Sequence, residues 1–228
     1  WIGVALALTI SAALPLIIRF GWARLAEPSQ AALVGPLIFA ALIQTGMRSL
    51  FAIPVEIRAG WVFRLHEPRD TTATLEGAAA ALMVCGVAGP AILALATGWL
   101  LWGLGPGLAH AVYCAALAAL LAQFLVSGFD RVAFTVPYVP GAARIGRLWP
   151  LYLTAFTTFT YTMAALEAYV LGHAASFIRT VTVLAGLAAI LFVVRRRAAR
   201  RLPSLRFEPD DDGPTVVSLQ ADRTTGMS

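Results

Sequence analysis

Apolar residues in this chain gather into six long runs separated by short polar clusters. The runs are Trp1–Ile18, Ala31 to about Ile53, Gly77–Trp102, Leu108–Val126, Leu148–Leu171 and Ala175–Val194. A helix rises 1.5 Å per residue, so about 20 residues cross the hydrocarbon core of a bilayer. The first and fourth runs are near the short end of that range, and the others fit it comfortably. Backbone groups in lipid must bond within a helix or around a closed barrel. Barrel strands alternate apolar and polar residues. The stretch Val181–Val194, VTVLAGLAAILFVV, does not alternate, and Thr182 is its only hydroxyl. The pattern predicts an all-α fold: a polytopic transmembrane helix bundle of about six spans over residues 1–200. Residues 201–228 form a polar tail expected to be disordered and too short for a core.

The connection Pro54–Arg69 has a pattern of its own. Ile57, Trp61 and Leu65 recur at helical spacing on one face, with Val62 beside them, while Glu56, Arg64 and Glu67 lie away from it. Pro54 suits the first turn of a helix. This reads as a short amphipathic helix in the cytoplasmic interface, with Trp61 at headgroup level. Glu56, Arg58, Trp61 and Arg64 are its candidate partner-binding residues.

Composition agrees with a membrane chain. Charged residues make up 13% and hydrophobic residues 59%, where a soluble domain carries about 25% charged residues. The basic residues are all arginine. The net charge of +5 is no nucleic-acid signal, because most arginines sit between the runs or just after the last one, as the positive-inside rule predicts. Arg195, Arg196, Arg197, Arg200 and Arg201 follow the sixth run and put the C-terminus in the cytoplasm of a cell whose inner membrane holds the chain. The same count makes the segments with Arg58, Arg64 and Arg69, and with Arg131, Arg144 and Arg147, cytoplasmic. It leaves Arg19 and Arg24 outside, the one misfit. The chain opens at Trp1 inside an apolar run, with no basic stretch before it, and reads as a fragment or a processed chain rather than as one starting with a signal peptide.

Several intramembrane polar residues are candidates for function, each against a structural alternative that outweighs it. Gln44 and Arg48 are one turn apart; they could face a polar pathway, or Arg48 could reach the headgroups or an ion pair. Glu167 and Arg179 lie at similar distances on either side of the turn at His173, roughly 9 Å below it by helix rise. They are expected to pair, either as a structural clamp or as an external gate. The fifth run carries Thr154, Thr157, Thr158, Thr160, Tyr161 and Thr162, hydroxyls that suit either a hydrated path or ordinary packing. In the third run, Ala81, Cys85 and Gly89 form a small-residue stripe, and Pro90 predicts a kink. His110 and Cys114 have a metal-compatible spacing, but two ligands do not make a site. Cys85 and Cys114 differ in depth by roughly 16 Å, too far for a disulfide. Asp210, Asp211 and Asp212 could bind a cation but read better as a solvated run. No cofactor or metal is assigned.

The stretch Arg48–Leu65, RSLFAIPVEIRAGWVFRL, resembles a segment of large uncharacterised bacterial multi-spanning membrane proteins, as do Leu148–Leu153, LWPLYL, and the acidic C-terminal tail. The resemblance implies the C-terminal part of a longer protein and carries no catalytic residue over.

The leading functional expectation is a transport-type, exporter permease-like subunit, with the bilayer as its solvent and a separate cytoplasmic ATPase as partner. The alternatives are a membrane scaffold or assembly protein, and a membrane enzyme acting on lipid. No Walker A loop, HExxH or nucleophile elbow occurs. Only His66, Asp70 and Asp130 suggest an enzyme, so none is expected.

Overall fold

The computed structural model describes residues 27–50, 71–127 and 145–199. Among them every regular element is helical. Helix α1 spans Gln30–Leu50, α2 Thr71–Met83, α3 Gly89–Trp102, α4 Leu104–Ser127, α5 Ile145–Leu171 and α6 Ala174–Ala199. A π-helical turn, Val84–Ala88, joins α2 and α3 into one rod. The first apolar run, the segment Pro54–Arg69 with Glu56, Arg58, Trp61 and Arg64, the loop residues Arg131 and Arg144, and the tail lie outside the described residues, while Arg147 falls in the first turn of α5.

Among the described residues, four segments are long and apolar enough to cross a membrane: Gln30–Arg48, Ala79–Trp102, Leu104–Ser127 and Ala174–Arg197. The chain is a candidate multi-pass membrane protein with these four spans. Of the six expected runs, the first lies outside the described residues and the fifth forms a helix that is not one of these four. The fifth run does form a helix, α5, of ample length at 27 residues. Its threonines and tyrosines and Glu167 make it too polar to join the four.

Proline chemistry explains the π-turn. In a regular helix the Gly86 carbonyl would accept from the N–H four residues on, but residue 90 is proline, whose ring would also press on that carbonyl. Widening the helix by one residue over Val84–Ala88 relieves the clash. The kink expected at Pro90 thus takes the form of a π-turn just before it.

The helices alternate in direction. The α3–α4 hairpin turns on Gly103, whose φ of 88° is open to glycine and strained for other residues. Below the turn Gly98 and Gly107 bring the two backbones together: a Cβ on Gly98 would lie 2.6 Å from the Gly107 Cα. Helix α5 runs antiparallel to α4, in a register fixed by the contacts of Glu167 with His110 and of Met163 with Tyr113. Helix α6 returns parallel to α4, its Arg195 beside Gln123. Helix α4 touches every other helix. Its residues Ala111, Tyr113, Cys114 and Leu117 form one core with Leu33, Val34, Leu37 and Ile38 of α1, Ala94 of α3, Ala164 of α5 and Leu184 of α6.

Candidate functional site

The most unusual chemistry lies between α4 and α5, near the end of the bundle that carries the turns at Gly103 and His173. His110 is about 9 Å along α4 from Leu104 by helix rise. Its Nδ1 and the Glu167 Oε1 share a hydrogen bond of 2.6 Å, and both side chains are 0% exposed. Small residues let the helices approach: Ala111 on α4 and Ala164, one turn before Glu167, are both buried. The Trp102 ring stands edge-on to the imidazole, with centroids 6.0 Å apart. The Tyr113 hydroxyl donates to the Met163 carbonyl at 3.0 Å and closes the same seam one turn deeper. The buried Cys114 thiol is free, as is Cys85.

The pair is not saturated. His110 Nε2 and Glu167 Oε2 are buried without a hydrogen-bond partner among the described residues. Buried polar atoms are normally bonded, so two orphans on one bonded pair are a marked exception. In lipid an ionisable side chain is costly unless paired. Pairing meets part of that cost here, and the two open atoms keep capacity for a further proton or polar group.

A second buried polar contact lies about 12 Å deeper along α4. Gln44 Nε2 donates to the Gly86 carbonyl at 2.8 Å and to the Ala118 carbonyl at 2.9 Å. The side-chain amide thus serves the carbonyl that Pro90 cannot, tying α1 to the π-turn and to α4. Gln44 Oε1 is buried and has no partner among the described residues. A third contact lies about one and a half turns deeper still. Gln123 Oε1 accepts from the half-buried Arg195 Nε at 3.3 Å, and Gln123 Nε2 approaches the Met83 sulfur at 3.4 Å. Beside it, Arg196 and Glu76 approach to 3.7 Å, each about half exposed.

The residues singled out from sequence separate accordingly. Gln44 and Glu167 are wholly buried in the bundle. Arg48 is half-buried in the last turn of α1. Arg179 is exposed on α6, and the expected Glu167–Arg179 pair is replaced by Glu167 with His110. The depth argument was sound about height, but Glu167 faces α4. Sequence reasoning set His110 aside as half of a metal pair. The signal that could have found its partner is the same depth rule, since His110 and Glu167 each lie within two turns of a turn on the same side. The threonines of α5 do not line a path: Thr154, Thr157, Thr158 and Thr162 are exposed. Thr160 and Thr162 return their hydroxyls to the carbonyls of Phe156 and Thr158.

The described residues contain no group of three or more His, Cys, Asp or Glu placed to hold a metal. In comparison with known proteins, no family model, curated sequence or solved structure matches this chain.

Proposed function

We propose that the chain is a transport-type subunit of the inner membrane, with its C-terminal arginines on the cytoplasmic side. The observation that carries this reading is the His110–Glu167 pair, fully enclosed between helices and carrying two open polar atoms. A purely structural pair in an apolar bundle gains nothing from open valences, whereas a site that takes up and releases a charge or solute needs them. Buried polar contacts at two further depths, at Gln44 and Gln123, also join helices that a transport cycle would move against one another. A cytoplasmic ATPase acting on Pro54–Arg69 remains part of the proposal as a partner.

The test is a flux measurement on the full-length protein reconstituted in liposomes on a solid-supported membrane. Pools of cations, amino acids, sugars and amphiphilic cations are applied in turn. A transient current with one pool, lost in Glu167→Gln and His110→Gln proteins that remain folded, is the expected result. Silence with every pool, with no ATPase co-purifying from the native host, would leave a non-transporting scaffold as the better account.

A further inference from the structure

We infer that His110 and Glu167 form a proton-binding site, and that the ion coupled to movement of this bundle is the proton rather than a metal cation. The inference deepens the transport reading above, but proton binding itself stands on the geometry of the pair.

The hydrogen bond between Nδ1 and Oε1 holds one proton, whichever atom carries it. With that proton alone the pair is an imidazole beside a carboxylate and carries one negative charge. A hydronium ion can give a second proton to the open edge, leaving water: an N–H bond at Nε2 makes imidazolium with carboxylate, an O–H bond at Oε2 makes imidazole with carboxylic acid, and either pair is net neutral. Release to water on the other side reverses the step, so the pair cycles between singly negative and neutral states. The donor set suits this ion. A hard metal cation asks for six or so oxygens, whereas this site offers one carboxylate beside an imidazole, each with one open atom that can take a single proton.

The surroundings do not compete for the role. On α4 the other ionisable side chains, Tyr113 and Cys114, are buried in the same core, and the tyrosine proton is already committed to the Met163 carbonyl. Helix α3 presents the Trp102 ring and contains no ionisable residue. In α1 the only ionisable residue is Arg48, in its last turn at the opposite end. Helix α6 carries Arg179 at the exposed surface and its other arginines at the far end.

The experiment is an infrared titration of the full-length protein in liposomes, following the carboxylic-acid C=O stretch as pH is lowered. One band sensitive to exchange into D2O is expected to grow in. It should vanish in Glu167→Gln, persist at a shifted position in Glu167→Asp, and move its midpoint in His110→Gln. Replacing choline with sodium should leave the wild-type midpoint in place. A midpoint that moves with sodium would make this a metal-cation site and overturn the proposal. So would a wild-type protein whose titrating bands all survive Glu167→Gln. The readout needs no flux, so a titrating pair in a protein that carries no current would refute the transport reading alone.

Discussion

At the scale of single residues the bundle is governed by what happens to a polar atom that lipid cannot solvate. His110 and Glu167 are both 0% exposed, so removing one leaves the other buried and uncompensated. Breaking a buried ion pair this way costs about 3–5 kcal/mol, whereas replacing both members with apolar residues of similar volume is often close to neutral. His110→Ala and Glu167→Ala are each expected to lower thermal stability in detergent strongly. The double variant His110→Leu/Glu167→Met is expected to recover most of the loss while losing proton binding altogether. A double variant no more stable than the singles would mean that packing of the seam, rather than the buried charge, sets the stability. His110 also shows where sequence falls short at this scale. A lone histidine in an apolar run gives its depth but not its azimuth, and the partner it meets lies 57 residues away on another helix.

The rod formed by α2 and α3 shows how one residue reshapes an element and recruits another to mend it. Pro90 withholds the donor due to the Gly86 carbonyl, the helix widens, and Gln44 supplies an amide N–H in place of the missing one. Gly86 is required for that contact, since a Cβ there would lie 2.6 Å from the Gln44 Cγ. Gln44→Leu is expected to cost about 1–3 kcal/mol, because buried carbonyls lose their donor. In a Pro90→Ala background the loss should shrink, because the backbone N–H restored at that position can bond the Gly86 carbonyl itself. A double-mutant cycle read by thermal unfolding measures this coupling. Additive losses would mean that the amide and the proline act independently. Proline, glycine and glutamine were each visible in the sequence, and a kink at Pro90 followed from ring sterics. Their meeting was not visible, because it depends on which face α1 turns toward the rod. The amphipathic pattern of Pro54–Arg69 was equally legible, but it lies outside the described residues.

At the scale of the whole molecule the open question of topology is α5. It is not one of the four apolar spans, yet the alternation of the bundle requires it to run from the Ser127 end to the His173 end. Two properties lower the cost of such a crossing. Its hydroxyls at Thr160 and Thr162 bond within the helix, and its one carboxylate is paired. It also lies against α4, a strong span, in a register held by contacts at two successive turns. Apolar composition identified the strong spans from sequence, because lipid selects for it directly. The same reading counted the run of α5 among the spans, but mean hydropathy sets α5 apart from the strong ones, because its polar groups are satisfied locally and hydropathy counts them as if they were not. The consequence is a labelling pattern. In a Cys85→Ala/Cys114→Ala background, His173→Cys should react with a membrane-impermeant maleimide in intact cells. Ser127→Cys and Ala199→Cys should react only after permeabilisation, in keeping with Arg195, Arg196 and Arg197 at the cytoplasmic end. Labelling of Ser127→Cys and His173→Cys from the same side would mean that α5 does not cross. The His110–Glu167 pair would then lie between a spanning helix and a re-entrant one, with access from a single side, and a proton taken up there could only return the way it came.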